Sequence, residues 1–277
     1  MNTQLILEKQ DLTYLTWSKI RNSSGTAGSF LKAYSELDGR KIYYKLSNYD
    51  SVRGVIGQES VNELIVDRLL TILGIEHLHY QLIHADVLVD GKVLETYVCA
   101  SENFRETGED KQAIDICYAR EHLDGEGPLD FCIRMGWGEA IFQMLVVDFL
   151  ILNRDRHGAN IEVLRNKKKK TLRLAPLFDH GLSLLCSCET MDAVEDFDEM
   201  ADRQVQCFVG SRSAQENLDL IPLDRMPGLN PLKESDKTIL LEGLENILPE
   251  KLQDKIWNMV WKRWCYYEDF CNSRRDR

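Results

Sequence analysis

The chain has 277 residues, of which 44% are hydrophobic and 29% are charged, and its net charge is −11. This balance is typical of a folded protein, and the length allows one large domain or two that share a cleft. Direct binding to nucleic acid calls for a basic surface that neutralises phosphates. The only dense basic run, residues 167–170, lies between two strand-like segments and is interpreted as a solvated turn.

No stretch of the sequence is apolar enough to predict a membrane span, and residues 1–10 lack the basic and apolar segments of a secretory signal. We therefore expect a cytoplasmic protein that contacts no membrane. The cysteines form no Cys-x-x-Cys pair and no histidine cluster accompanies them, so the sequence predicts free thiols and no zinc site. The eight cysteines are Cys99, Cys117, Cys132, Cys186, Cys188, Cys207, Cys265 and Cys271.

The first hundred residues predict a hairpin, a helix and a second hairpin. An Asp-Gly turn at 38–39 and another at 90–91 each separate two strand-like segments. Apolar residues recur at helical spacing between the two hairpins, and Gly74 can end that helix. The predicted strands and helix are residues 29–36, 41–46, 59–73, 79–89 and 92–98. We predict a small, mainly antiparallel sheet that carries one helix.

The remainder of the chain predicts mainly helices. Residues 137–152 are apolar on nearly all sides, with Asp148 among the few exceptions, which indicates a buried helix. The acidic, proline-broken segment 192–231 carries no clear pattern. Helices are predicted for residues 113–121, 137–152, 235–247 and 249–270, a hairpin for 160–164 with 171–174, and a polar connector for 101–128.

The fold class is therefore predicted to be α+β, with a β-rich N-terminal lobe at residues 1–100 and a larger, mainly α lobe at 101–277. A nucleotide can bind in the cleft between two such lobes, although lobes alone do not specify a function.

The residues that point to a chemistry follow the buried helix directly. Asp155 and Asn160 lie in one short loop, and Asp179 follows the predicted hairpin. Phosphoryl transfer needs one carboxylate near the attacking hydroxyl, a role that suits Asp155. Asn160 and Asp179 offer the hard oxygen ligands that Mg²⁺ prefers, and the hairpin between them can bring them together. Gly181 gives the following turn the backbone freedom to aim Asp179 inward.

Structural interpretations of the same residues stay open at this point. An Asp and an Asn five residues apart occur by chance in most proteins, and Asp155 can be an ordinary loop residue and Asp179 a helix cap. The buried helix before the loop and the Asp-x-Gly turn after the hairpin favour the functional interpretation. His157 either orients the catalytic loop or is a structural histidine bonded to the backbone.

The motif Asn-x-Asp-x-His-x-x-Asn at residues 153–160, followed by Leu-Phe-Asp at 177–179, resembles the catalytic core of the HipA-like serine/threonine kinases. These are bacterial toxin kinases that include short, single-chain members. The pair Asp-Arg-His-x-x-Asn and Asp-x-Gly also resembles the phosphatidylinositol kinases, which share the kinase-like fold. The resemblance implies a bilobal kinase fold, ATP and Mg²⁺ as cofactors, and Asp155 with His157 in the catalytic loop.

The resemblance extends to the N-terminal part. It implies that Lys45, on the second predicted strand, holds the α- and β-phosphates of ATP and pairs with Glu63 on the next helix, with Glu59 as the competing partner. A solvent-facing lysine and a helix-surface acid are the plain alternatives. The resemblance also implies that Cys99 and Ala100 lie in the hinge whose backbone binds adenine, where a simple linker is the alternative.

A run of small residues at 23–29 lies where kinase-like folds place the phosphate loop. Its glycines, Gly25 and Gly28, allow backbone N–H groups to approach phosphates closely, although the spacing is neither Gly-x-Gly-x-x-Gly nor that of a P-loop. HipA-like kinases carry a serine in this loop that can be autophosphorylated, which makes Ser23, Ser24 or Ser29 the expected site.

The sequence therefore predicts an ATP- and Mg²⁺-dependent kinase that phosphorylates serine or threonine on a protein. An upstream subdomain that contacts an antitoxin in long members is expected to be absent, and a separately encoded antitoxin or regulator stays open. The rivals are a lipid or small-molecule kinase of the same fold, which the acidic charge disfavours, and a nucleotide-binding pseudokinase that serves as a scaffold.

Overall fold

The computed structural model describes residues 4–20 and 27–275 and has a sheet-rich N-terminal part followed by helices. The N-terminal strands are β1 (Leu5–Asp11), β2 (Ser18–Ile20), β3 (Ala27–Leu37), β4 (Arg40–Leu46), β5 (Tyr49–Asp50), β6 (Gly54–Val55), β7 (Gln81–Val89) and β8 (Lys92–Glu102). Six of them form one sheet in the order β1-β7-β8-β4-β3-β2, while β5 pairs with β6. All pairs in the six-stranded sheet are antiparallel except β1 with β7.

The two predicted hairpins are present with their predicted turns. Asp38 and Gly39 have φ angles of 50° and 75°, and the corresponding residues of the second hairpin, Asp90 and Gly91, have 49° and 75°. Two successive positive φ angles give the turn twist that matches a two-residue hairpin. The register follows, with Leu37 paired to Arg40 in the first hairpin.

The helix α1 (Glu59–Leu73) ends as predicted at Gly74, whose φ is 74°. Its apolar residues, all buried except the partly buried Ile72, pack with the helices of the C-terminal part in a large hydrophobic core that also includes Leu82 of β7. Residues on the other face of the sheet, Leu46 and Val98 among them, form a smaller core with Leu12. The sheet is therefore covered on both faces, and α1 joins it to the rest of the chain.

The C-terminal part contains five further strands and six further helices among the described residues. They are β9 (Glu109–Ala113), α2 (Ile114–Glu121), α3 (Pro128–Arg134), α4 (Gly138–Ile151), β10 (Asp155–Arg156), β11 (Glu162–Asn166), β12 (Thr171–Leu174), α5 (Met191–Glu195), β13 (Gln206–Cys207), α6 (Asp236–Leu241) and α7 (Glu250–Arg275). As predicted, α4 is buried, and β11 forms a hairpin with β12. All eight cysteines are free thiols, and no helix in the described part of the chain has the length and apolar character to cross a bilayer.

Some predicted boundaries are wrong. The helix predicted for 235–247 ends at Leu241 because Glu242 has an extended ψ of 125° and Gly243 a φ of 76°, and a right-handed helix accommodates neither. The connector predicted for 101–128 includes β9, and α3 begins at its last residue, Pro128, which is at the first turn of that helix. The division of the chain after residue 100 stays a prediction, and residues 101–102 still belong to β8.

Candidate active site

A cleft of about 630 Å³ opens between the sheet and the C-terminal part. Lys45 on β4 and Cys99 on β8 are cross-strand partners, so their side chains share the sheet face that lines this cleft. Phe178 and Asp179 line the opposite side, and residues 103–105 close one end. Three separate segments of the chain therefore meet around one concave space.

Lys45 forms ion pairs with two carboxylates from different parts of the chain. Its Nζ lies 3.0 Å from Oε1 of Glu63 and 2.5 Å from Oδ1 of Asp179. Burial by itself would lower the pKa of Lys45, but the negative charges of Asp179 and Glu63 outweigh it, so the pKa lies above its usual value. Lys45 is therefore a fixed positive charge at the wall of the cleft.

Glu63, rather than its competitor Glu59, is the helix partner of this lysine. Oε2 of Glu63 also accepts a hydrogen bond of 2.9 Å from the backbone N–H of His180. Oε2 of Glu59 instead accepts a bond of 3.0 Å from the backbone N–H of Asn48. Burial raises the pKa of Glu63, which is completely enclosed. The α1 carboxylate thus joins the strand lysine to the turn that carries Asp179.

The turn after the hairpin differs from its predicted form. Asp179 itself, not Gly181, has a left-handed backbone, with a φ of 60°, a conformation that Asp tolerates better than most residues. Its N–H donates to the hydroxyl of Tyr80 over 3.3 Å. Gly181 is needed for a different reason, because a Cβ there would lie 3.0 Å from the Cβ of Glu59 and 3.3 Å from Nζ of Lys45.

The catalytic-loop candidates Asp155 and Asn160 contact each other. Nδ2 of Asn160 donates to the backbone oxygen of Asp155 over 2.7 Å and to its Oδ2 over 3.2 Å. Because Nδ2 is turned towards Asp155, the amide oxygen of Asn160 points the other way. Burial and the nearby Asp179 carboxylate raise the pKa of Asp155, against the opposing charge of His157.

His157 contacts both the loop backbone and Asp155. Its Nδ1 accepts a hydrogen bond of 3.1 Å from the N–H of Ala159, at the start of the 3₁₀ turn Gly158–Asn160. Its Nε2 lies 3.5 Å from Oδ1 of Asp155. This geometry serves both interpretations of the sequence, since the ring fixes the loop and also adjoins the carboxylate.

Arg156 is a residue of the site that the sequence analysis did not single out. Its guanidinium is buried and bonds to the Asp148 carboxylate at 2.9–3.3 Å through Nε and Nη2. Nη1 donates to the backbone oxygens of Asn160, at 3.1 Å, and Phe178, at 3.0 Å. One nitrogen therefore connects the Asn160 loop to the residue before Asp179. The sequence feature that could have indicated this contact is Asp148, an acidic residue within an otherwise apolar helix.

The residues of the predicted hinge lie inside a strand and not in a linker. Cys99 and Ala100 lie inside β8 and pair with β4 on one side and β7 on the other, so their backbone groups belong to the sheet. Burial raises the pKa of the Cys99 thiol to about 12. The Ala100 side chain lies in the smaller core, on the face away from the cleft. The chain leaves the sheet only after Glu102, where residues 103–105 line the cleft.

The predicted phosphate loop lies mostly outside the described residues. This applies to Ser23, Ser24 and Gly25, whereas Gly28 and Ser29 belong to the start of β3. A role for these residues in binding phosphate stays a prediction.

A second cleft, of about 570 Å³, opens beside the first and is lined by Asp155. Arg154 and Arg212 lie at its edge, together with residues 204–206. Strand β10 pairs with β13 in parallel and so holds the Asp155 loop against this segment. Asp155 therefore lines a space large enough for part of a second reactant.

The chain is similar in structure to a kinase of known fold. The crystal structure of the Helicobacter pylori proinflammatory kinase CtkA matches 96% of this chain and 97% of its own, with a TM-score of 0.62 and 15% identity. HipA of Shewanella oneidensis MR-1, in complex with HipB and its operator DNA, matches 87% of this chain and 56% of its own, with a TM-score of 0.40 and 15% identity.

No protein-family model and no curated protein matches the sequence. The similarity to CtkA confirms the predicted kinase-like α+β fold at the level of the fold.

Proposed function

We propose that this chain is an ATP-dependent kinase that transfers the γ-phosphate to a serine or threonine hydroxyl of a protein. The observation that carries the proposal is Lys45, whose Nζ contacts both Glu63 and Asp179 at the wall of the large cleft. A strand lysine paired with a helix glutamate, next to an Asp-x-Gly turn, is the arrangement that kinases use to hold phosphates. The bilobal division at about residue 100 belongs to the same proposal.

In this proposal ATP occupies the 630 Å³ cleft, with its phosphates at Lys45. The adenine lies towards residues 103–105, which follow the end of β8 and line the cleft. The hydroxyl acceptor occupies the second cleft, which Asp155 lines.

The residues present fit a divalent metal of the magnesium type. Asp179 supplies a carboxylate, and the amide of Asn160 is held by Nδ2 so that its oxygen faces away from Asp155. Such hard oxygen donors suit Mg²⁺, which keeps several water ligands of its own. When bound, the ion would neutralise charge on the phosphates. Asn160 and Asp179 are the proposed ligands.

Asp155 orients the acceptor hydroxyl and takes its proton as the oxygen attacks the γ-phosphorus. The bond between that phosphorus and the bridging oxygen breaks, and ADP leaves with its electron pair. Lys45 stays protonated throughout because its pKa is raised, so it stabilises phosphate charge without exchanging a proton. His157 positions the loop from its contact with Ala159.

The direct test is transfer of labelled phosphate from Mg-ATP to a panel of protein, lipid and sugar acceptors, with intact-mass measurement of the chain itself. We expect label on protein and added phosphate on the chain, at Ser23, Ser24 or Ser29 if the loop resemblance holds. Label on lipid or sugar alone would establish the first rival. Nucleotide binding without any transfer would establish the pseudokinase. A separately encoded antitoxin or regulator stays a prediction from the resemblance.

Replacing Lys45 with Met is expected to reduce kcat/KM for ATP by roughly 10- to 100-fold, the equivalent of one hydrogen bond to a charged group. Met fills similar space but leaves the fully enclosed Glu63 without its positive partner. Lys92→Met is the matched control, since Lys92 lies at the exposed start of β8 and outside the cleft. Steady-state assays at several ATP concentrations measure the effect. Equal losses in the two variants would contradict the role of Lys45.

The rate of transfer is expected to fall as the pH drops through the raised pKa of Asp155, because only the ionised carboxylate can accept a proton. The loss should therefore begin at a higher pH than an ordinary aspartate would give. His157→Asn keeps an acceptor for the Ala159 N–H but removes the charge that lowers the Asp155 pKa, so the acidic limb should move to still higher pH. The rate of transfer is measured as a function of pH in both proteins, and thermal melts at the same pH values show that both stay folded. An acidic limb at the same pH in both proteins would contradict the prediction.

A further inference from the structure

Asp67, His77 and His79 form a compact cluster that does not itself line the cleft. Their potential ligand atoms all lie within 4.8 Å of one another, and they are the only such group of three in the part of the chain that the structure describes. Asp67 lies on α1, and the two histidines lie on the segment that leads into β7. The side chains of Asp67 and His77 are buried, while that of His79 is 72% exposed.

The hydrogen bonds around His77 require a cation at its Nε2 side. Nδ1 lies 2.7 Å from the carbonyl oxygen of Ile75, which can only accept, so Nδ1 carries the proton of that bond. Nε2 lies 2.7 Å from Oδ1 of Asp67. A neutral imidazole has only one N–H, so Nε2 would face a carboxylate oxygen with its lone pair. Either a second proton or a metal ion must stand between them.

The carboxylate itself is held in its ionised form. Oδ2 of Asp67 accepts the N–H of Tyr80 over 2.7 Å and the side-chain amide of Gln4 over 3.2 Å. Both of these donors favour a negative carboxylate. On the other oxygen, Oδ1 lies 3.0 Å from Nδ1 of His79 as well as 2.7 Å from His77. Two imidazole nitrogens thus converge on one anionic oxygen.

We propose that Asp67, His77 and His79 bind a divalent transition-metal ion, with Zn²⁺ as the best match to two imidazole nitrogens and one carboxylate oxygen. Tetrahedral ligands at zinc distances lie roughly 3.3 Å apart. The ring nitrogens of His77 and His79, now 2.7 Å and 3.0 Å from Oδ1 of Asp67, therefore need to move away from it by roughly 0.6 Å and 0.3 Å. The exposed His79 gives the ion a path from solvent, and water completes the fourth position.

The surrounding contacts are those of a supported metal site. The carbonyl of Ile75 fixes the tautomer of His77 that leaves Nε2 for the ion, and the Tyr80 N–H orients the carboxylate of Asp67. The expectation of no zinc site followed from the cysteine pattern, whereas this cluster contains no cysteine.

The site also lies close to the catalytic machinery without sharing a residue with it. Asp67 is one helical turn after Glu63 on α1, and the hydroxyl of Tyr80 accepts the N–H of Asp179. A bound ion would hold α1 and the start of β7 together behind the cleft. The site is independent of the proposed kinase activity.

The test is titration of the full-length, tag-free protein with Zn²⁺ against a chromophoric chelator, with Mg²⁺ in large excess to occupy the Asn160–Asp179 pair. We expect one ion per chain, and an increase in melting temperature because the ion binds the native state. Co²⁺ in place of Zn²⁺ should give the visible absorption of a tetrahedral nitrogen–oxygen site. His79→Ala, a change at an exposed side chain, should weaken binding by more than about tenfold.

His122→Ala is the matched control, since His122 is also exposed and bonds only to the carbonyl of Tyr118 among the described residues. A variant with Cys186 and Cys188 changed to Ser distinguishes Zn²⁺ bound by these two neighbouring thiols from Zn²⁺ bound by the proposed cluster. Both controls should bind as the unchanged chain does. Absence of binding, equal weakening in His79→Ala and His122→Ala, or loss of binding in the cysteine variant would overturn the proposal. Absence of Zn²⁺ binding would identify His77 as an imidazolium paired with Asp67.

Discussion

Asp155→Asn is expected to lower the rate constant of phosphoryl transfer by about 10²- to 10⁴-fold, the usual contribution of a positioned proton acceptor. Asn has the shape of Asp and still offers an oxygen to Nδ2 of Asn160, which lies 3.2 Å from Oδ2 in the unchanged chain. It cannot take a proton from the acceptor hydroxyl. Because Asp155 lines the second cleft and not the larger one, nucleotide affinity should change little.

Single-turnover transfer and titration with a fluorescent nucleotide measure the two quantities separately. Asp124→Asn is the control, as Asp124 is exposed in a turn before α3. A normal rate in Asp155→Asn would remove Asp155 from the role of base. Loss of affinity together with rate would indicate that the loop had moved, and Asp155 would then have a structural role.

The sequence could predict those parts of the site that depend on contacts between residues close together in the chain. Asp155 and Asn160 are five residues apart, and their contact needs only the turn between them. The strand position of Lys45 follows from an Asp-Gly hairpin, since the turn sets the register. The preference for Glu63 over Glu59 came from the resemblance, and Glu63 is the residue that contacts Lys45.

The parts that the sequence could not predict depend on contacts between distant segments. Strand β1 is parallel to β7, a pairing with no turn to specify it. The predicted hinge residues lie inside β8 because that strand continues to Glu102, and the length of a strand depends on its partners β4 and β7. Gly181 was correctly singled out for the wrong reason, as the approach of α1 is not visible in a turn motif.

Arg156 is the clearest case of a long-range contact, and its replacement has the largest expected effect on stability. Arg156→Met is expected to lower the free energy of unfolding by about 3–5 kcal/mol, the usual effect of removing one partner of a buried ion pair. Met occupies similar volume, but it leaves the Asp148 carboxylate without a positive partner inside α4. The backbone oxygens of Asn160 and Phe178 also lose the nitrogen that joins them. Transfer activity should fall with stability, since Asn160 is a proposed metal ligand and Phe178 directly precedes the other one, Asp179.

A double-mutant cycle separates the ion pair from the loss of packing. Asp148→Asn in the Arg156→Met background removes the unpaired charge and keeps the bond from the Asn153 amide to residue 148. The double variant should therefore be less destabilised than the two single changes combined. Urea denaturation measures the free energy of unfolding of each variant, provided that its dependence on urea concentration is the same in all of them. Arg40→Met is the control, because Arg40 pairs with Glu102 where both side chains are mostly exposed, and this change should shift the midpoint little. Strictly additive effects would mean that Arg156 stabilises the loop through its packing, and the connection between Asp148 and the two metal-ligand segments would have to be abandoned.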